Sequence, residues 1–235
     1  MERKEAFQTF LITTFIRISG YSTIFFVGMI LVFILGQGLP ALKEVELRSL
    51  FSTRWYPIEG FFGILPLIGG SIVVTIGATL IAVPFGIGTA IYISEIAPRW
   101  ARELLKPLVE VLAGLPSVVL GFIGIVSLSP FIREFFNLPT GLSALTGSLL
   151  LGAIAIPTIV SVAEDALDSV PKEYRDGAFA LGATKWQTIW TVTLPAAKSG
   201  VLTAIMLGIA RSIGETMTVM MVTGNAPVLP TGLEA

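Results

Sequence analysis

The feature that most constrains this chain is the length of its apolar runs. Five stretches hold about 20 or more largely apolar residues, the number an α-helix needs to cross roughly 30 Å of hydrocarbon. They run from Ile16 to Leu35, Leu65 to Tyr92, Pro107 to Leu128, Leu142 to Ala163 and Ala196 to Thr223. The expected fold is therefore all-α, a polytopic membrane helical bundle. Composition agrees: 54% of the residues are hydrophobic and 13% charged, against roughly 25% charged in a soluble domain. The net charge of −1 offers no bulk attraction to nucleic acid. There is no cysteine, which excludes disulfides and thiol chemistry, and no histidine, the commonest proton shuttle and metal ligand.

The N-terminal MERKEAFQTFLITTFIRISG does not read as a removable signal peptide. Its charge is mixed, and no small-x-small cleavage site precedes Gly36. The first run is expected to be a retained span. Lys and Arg residues sort the loops by side. One side collects Arg3, Lys4, Arg17, Arg99, Arg102, Lys106, Lys172, Arg175, Lys185 and Lys198; the other holds Lys43, Arg48, Arg54 and Arg133. The bias of ten against four, with Arg211 set aside as intramembrane, predicts a cytoplasmic N-terminus. Pro84, Pro116 and Pro157 fall inside expected spans, where each removes a helical hydrogen bond. They are ordinary kinks or mark a path through the bundle. Gly77, Gly86, Gly114, Gly121 and Gly124 permit close helix packing.

The segment IARSIGETMTVMMV places Arg211 and Glu215 inside an apolar run. A charge there is costly and faces a cavity or a partner. Four residues apart, the two share a helix face. Two readings stand: a structural ion pair, or an arginine that meets a transient anion, with Glu215 orienting it or weakening the trap. Ser212 and Thr216 flank the charges as possible hydrogen-bond donors. Glu110 opens the third run as an interfacial residue or a gate partner for Arg211. Ser117, Thr158 and Ser161 supply hydroxyls near Pro116 and Pro157, with backbone carbonyls as their ordinary partners. Glu164 and Asp165 belong with the loop that follows rather than with a substrate site.

That loop, EDALDSVPKEYRDGAFALGATKWQTIWTVTLP from Glu164 to Pro195, differs from the rest of the chain. Pro171 is placed to open a short helix, KEYRDGAFAL, with Gly182 ending it. TKWQTIWTV continues as a second amphipathic stretch, with Trp186 and Trp190 on one face suited to a membrane interface. Pro195 is expected to mark the break before the last span. The order Asp176-Gly177-Ala178, Gly182, Val192 and Leu194-Pro195 resembles the signature loop of bacterial ABC importer permeases. That pattern is Glu-Ala-Ala, three residues, Gly, nine residues, Ile, one residue, Leu-Pro. The spacing is kept throughout; Asp replaces Glu, Gly replaces Ala and Val replaces Ile.

The stretches EVLAGLPSVVLGF, AIAIPTIVSVAEDALDSVPKEYRDGAFALGATKWQTI and ARSIGETMTVMMVTGN narrow the resemblance to the phosphate permeases of the PstC and PstA kind. The segment from Gly36 to Phe62 is more similar to PstC. The resemblance implies a non-catalytic transport subunit in the cytoplasmic membrane, with phosphate as substrate. Asp176, Gly177, Ala178, Gly182, Leu194 and Pro195 would couple it to a cytoplasmic ATP-binding subunit dimer. It further implies a second, PstA-like permease subunit and an external phosphate-binding protein that docks on loops such as Lys43 to Glu59 and Phe131 to Gly141. The substrate path would contain Arg211, Glu215, Ser212, Thr216, Glu110 and Ser117. No cofactor is expected on this chain: it lacks a Gly-rich loop ending in Gly-Lys-Ser or Gly-Lys-Thr, and ATP and Mg would act on the partner ATPase. The expected regions are 1–64 (N-terminal segment, first span and external loop), 65–223 (permease core with its coupling loop 164–195) and 224–235 (the start of an external loop leading to a sixth span). The alternatives are a permease for molybdate, sulfate or another oxyanion, an ATP-independent secondary transporter or channel, and a non-transporting membrane scaffold.

Overall fold

The computed structural model describes residues 2–45 and 47–225. The chain forms two units, divided between Ile64 and Leu65. The expected external loop at 226–235 lies outside the described residues.

The first unit opens with α1 (Glu2–Glu44), whose stretch from Thr9 to Pro40 is long and apolar enough for a span, with Arg17 its single charge. After α2 (Leu47–Leu50), β1 (Trp55–Tyr56) pairs antiparallel with β2 (Phe61–Phe62), with Trp55 opposite Phe62 and Tyr56 opposite Phe61. Gly60 closes the turn at φ 81°, a conformation that costs glycine little. The all-α expectation did not include this hairpin.

The second unit begins with α3 (Leu65–Ile91), which continues through a π turn at Tyr92–Ile96. Next come α4 (Arg99–Ala113), α5 (Ser117–Ile123) and α6 (Ser129–Phe135), the last two joined by a π segment, Gly124–Leu128. Then follow α7 (Ala144–Asp168), α8 (Lys172–Ala180) and α9 (Lys185–Thr188). A π segment, Ile189–Thr193, leads into α10 (Leu194–Ala196), α11 (Lys198–Gly214) and α12 (Met217–Val222).

Among the described residues four helices are long and apolar enough to cross a membrane: Thr9–Pro40, Leu65–Ile96, Ser117–Phe135 and Ala144–Asp168. A fifth span is reached if Lys185–Ala196 and Lys198–Gly214, bent by 75°, count as one. The expected continuous fifth span from Ala196 to Thr223 is thus corrected. The chain bends at Ala197, two residues beyond Pro195, and unwinds again at Glu215, whose ψ of 117° is extended. The third span is corrected as well. Pro107 to Ala113 belongs to α4, where Arg102, Lys106 and Glu110 share the helix with exposed Trp100, Leu104, Leu108 and Val111. Pro116, at ψ 129°, interrupts the helix instead of kinking it, because it cannot donate an N–H and disfavours helix at Leu115. Pro84 and Pro157 do sit inside continuous helices.

α7 is the central element, packed between α3 and α11. In lipid, apolar side chains give helices no hydrophobic incentive to associate, so close approach between small residues supplies the contact. Ala78, Ala82, Ala90, Ala155, Ala163 and Ala204 are fully buried along these seams. Ile159 of α7 wedges between Gly86 of α3 and Gly208 of α11; a Cβ at Gly86 would lie 2.7 Å from its Cγ2. Gly77 faces Ser148, Gly121 faces Met221 and Gly124 faces Leu150, as close packing predicts. Gly114 does not pack this way: it closes α4, its N–H donating to the Glu110 carbonyl at 3.2 Å.

Candidate functional site

Two interrupted helices meet in the second unit. One break, Gly114–Pro116, separates α4 from α5; the other, Glu215–Thr216, separates α11 from α12. The Thr218 hydroxyl joins them, lying 3.0 Å from the Ser117 carbonyl oxygen and 3.2 Å from Glu215 Oε1. Its single proton serves one acceptor at a time. Glu215 Oε1 also accepts from the Thr218 N–H at 3.4 Å, so the carboxylate covers the first turn of α12.

This arrangement revises the expected Arg211–Glu215 face. The helix ends at Gly214, and no ion pair joins the two side chains among the described residues. Arg211 occupies the last turn of α11, and its Nε is buried with no hydrogen-bond partner. Ser212 is buried and its hydroxyl donates to the Gly208 carbonyl at 3.1 Å, an intrahelical bond. Thr216 is exposed and makes no capping bond. Ser117 enters through its backbone carbonyl. Thr218, which the sequence pattern did not single out, is the residue that ties both breaks; its position three residues after Glu215 is the signal that a capping search would have used.

Glu110 lies elsewhere. It lines a small crevice with Ile93, Lys106, Val109, Val160, Ser161 and Glu164, and Arg211 is not among these residues. Glu164, expected to belong with the loop, is 2% exposed and accepts from Lys106 Nζ at 2.7 Å, while exposed Asp165 accepts from the same ammonium at 3.2 Å. The bond to Glu164 holds the Lys106 ammonium above its ordinary pKa, against the opposing effect of burial. Arg102 adds a second tie from α4, to the backbone carbonyls of Ile93 and Ser94. The Ser94 hydroxyl donates to Asp168 at 2.5 Å.

The loop from Pro171 to Gln187 forms as its sequence predicts, whereas Pro195, expected at the break, lies inside α10. Pro171 precedes α8, and Gly182 follows it at φ 82°. The Gly182 N–H donates to Phe179 O and the Ala183 N–H to Ala178 O, closing the helix end. Thr184 and Gln187 form a reciprocal capping box for α9. The signature residues divide by burial. Asp176, Gly177, Gly182 and Pro195 are exposed, as is Leu181 at 90%, whereas Ala178, Val192 and Leu194 are half-buried. Leu194 packs on the main core cluster. Trp186 and Trp190 are both exposed beside the apolar groove between α3 and α11.

Arg175, also absent from the expected site set, anchors α8. Its Nε and Nη2 donate to Glu95 Oε1 at 3.0 and 2.6 Å, its Nη1 to the Val170 carbonyl at 2.7 Å and its Nη2 to the Leu167 carbonyl at 2.9 Å. Among the described residues no group of three or more His, Cys, Asp and Glu side chains is placed to hold a metal ion.

Comparison with known proteins accords with this architecture. The family model of the binding-protein-dependent transport system inner membrane component matches residues 82–233. The probable ABC transporter permease protein YqgH of Bacillus subtilis is 49% identical over 78% of this chain and 60% of its own length. The phosphate transport system permease protein PstC of Xylella fastidiosa (strain Temecula1) is 36% identical over 80% of this chain and 64% of its own length. PstC 1 of Mycobacterium tuberculosis is 36% identical over 72% and 56%, respectively. The chain thus spans about 60% of the length of these relatives. A solved structure of the inward-facing MetNI methionine ABC transporter shares the fold, with a TM-score of 0.51 and 23% identity over 65% of this chain and 68% of that one. With the family model covering well over half of its residues, the chain belongs to the binding-protein-dependent transport system inner membrane component family.

Proposed function

We propose that this chain is the membrane permease subunit of an ATP-driven importer that carries inorganic phosphate into the cytoplasm. The observation that carries the substrate reading is Arg211. A guanidinium inside an apolar helix, with Nε buried and unpartnered, has unspent donors, and a buried donor without a partner costs about 1–3 kcal/mol. Its planar fork suits a tetrahedral oxyanion. Similarity to several proteins named phosphate permeases supports phosphate over other anions.

The substrate path we assign contains Arg211, Glu215, Ser212, Thr216, Ser117 and Glu110, with Thr218 added. Glu215 shapes the break, and Glu110 lines the crevice beside Lys106. Discontinuous helices supply such sites in transporters because unwound backbone is tolerated only where protein or a water-filled path satisfies it. The chain should bind phosphate weakly, since a deep well slows release.

Coupling rests on α8, with Asp176, Gly177, Ala178 and Gly182, and on the Leu194-Pro195 anchor. The helix is short and exposed along Asp176 and Gly177, and ends in protruding Leu181, a shape suited to docking on a cytoplasmic ATP-binding subunit dimer. A PstA-like second permease and an external phosphate-binding protein would complete the complex. The binding protein would reach the segments Lys43 to Glu59 and Phe131 to Gly141. The Lys and Arg bias puts the N-terminus in the cytoplasm. Residues 1–64, 65–223 and 224–235 would then be peripheral segment, transport core and external loop.

The test is uptake of labelled phosphate, molybdate and sulfate into vesicles holding the complete complex. ATP-dependent phosphate uptake, with the other two anions competing poorly, is expected. Preferred uptake of molybdate or sulfate would replace phosphate with that anion, and uptake without ATP would sink the importer reading.

A further inference from the structure

We propose that Arg175 and Glu95 form the joint through which movement of α8 reaches α3, making both positioning residues for coupled transport; this rests on the reading of α8 as the docking helix. One guanidinium holds three places at once. Two of its bonds, to the carbonyls of Leu167 and Val170, bind α8 to the end of α7 from which it has just turned. The others reach Glu95, 80 residues earlier, in the π turn that ends α3. The side chains are 17% and 8% exposed, so the bonds are shielded from competing water.

The local bonds alone would make α8 an extension of α7. The bond to Glu95 changes the mechanics, because α3 and α7 are the most extensively packed helices in the unit. A displacement of α8 then moves both ends together as a rigid body, and it does not dissipate in the turn Ser169–Pro171. Arg175 is also the residue directly before Asp176-Gly177-Ala178, so the surface offered to a partner and the anchor behind it lie on consecutive positions of one helix. A lysine could not reproduce the fork, since the ammonium lacks the planar spread that serves one carboxylate and two carbonyls simultaneously.

A purely structural ion pair predicts something different. Loss of fold reduces the amount of complex, and ATP hydrolysis and uptake fall together. Loss of a joint leaves hydrolysis running and lowers the number of anions moved per ATP.

The experiment compares Glu95→Ala, Glu95→Gln and Arg175→Lys in the complete complex, reconstituted with the external binding protein and labelled phosphate. ATP hydrolysis and uptake are measured on the same vesicles. Glu95→Gln keeps an acceptor for Arg175 and should hold the ratio within about threefold of the parent. Glu95→Ala should lower it by about tenfold or more. Arg175→Lys should fall between them, and it supplies the reading if Glu95→Ala assembles poorly. Docking is followed separately: a cysteine introduced by Ala178→Cys into this cysteine-free chain is cross-linked to the ATPase subunit. A normal cross-link with an unchanged ratio in Glu95→Ala and Arg175→Lys overturns the joint alone. Absence of the cross-link in the otherwise unaltered chain overturns the docking reading and the joint with it. Proportional loss of hydrolysis and uptake, with the ratio unmoved, also overturns the joint.

Discussion

Glu215 is bonded to Thr218, three residues ahead of it, and not to Arg211, four residues behind. The carboxylate covers the start of α12, and the arginine at the end of α11 has no acidic partner among the described residues. The two charges therefore have separable roles. Arg211→Ala and Arg211→Gln should abolish phosphate uptake while the complex still assembles, and Arg211→Lys should retain a minor fraction. Uptake by purified, reconstituted complexes decides it; parental rates in Arg211→Gln would remove the arginine from the substrate path.

Glu215 should tolerate amide replacement better than truncation. Glutamine keeps an oxygen for the Thr218 N–H and hydroxyl, whereas alanine leaves the first turn of α12 uncovered. Loss of such a cap costs about 1 kcal/mol. Glu215→Gln is expected to retain uptake within about tenfold and Glu215→Ala to fall further, with Thr218→Val resembling Glu215→Ala. Equal losses in Gln and Ala variants would show that the charge matters and the cap does not.

Gly182 should be sensitive through its backbone alone. A Cβ there meets nothing within 4 Å, yet φ is 82°. An L-residue held in the left-handed region costs roughly 1–2 kcal/mol, and asparagine costs less than a β-branched residue. Gly182→Val should weaken co-purification with the ATPase subunit or uncouple hydrolysis from uptake, and Gly182→Asn should do so mildly. If Val and Asn variants behave like the parent in both assays, the turn is not needed for docking.

Lys106 bridges one buried and one exposed acid, and the two should respond differently. Removing the ammonium leaves the buried Glu164 carboxyl without its charge partner, a loss that proton uptake by the carboxyl limits. Asp165, 68% exposed at its side chain, sits in a surface pair worth about 0–1 kcal/mol. Thermal denaturation in detergent should show a large drop in midpoint for Lys106→Ala, little change for Asp165→Ala, and partial recovery in Lys106→Ala/Glu164→Gln.

Ile159 fills the space that Gly86 and Gly208 leave open, and adding a methyl group to either glycine overfills it. Gly208→Ala should lower stability by about 1–3 kcal/mol, and Ile159→Val in the same chain should recover part of it. Independent, additive losses would contradict the shared contact.

Residue chemistry alone accounts for the material of this protein and much of its local detail. Long apolar runs compel helices that cross lipid, because the backbone has no other partners there. Pro171 and Gly182 bound α8 through constraints confined to one or two residues, so that segment was legible in the residues themselves. Small residues likewise announced close seams at Gly77, Gly86, Gly121 and Gly124. Packing in three dimensions settles where helices stop inside apolar sequence and which distant charges meet. The runs around Pro116 and Glu215 are apolar enough to continue, and hydropathy does not register a break. Four-residue spacing suggests a partnership between Arg211 and Glu215, but the extended ψ of Glu215 redirects the chain after it and brings Thr218 to its carboxylate instead. The pairings Lys106–Glu164 and Arg175–Glu95 span 58 and 80 residues. No local periodicity encodes such meetings, because they depend on how α3, α4, α7 and α8 pack in three dimensions.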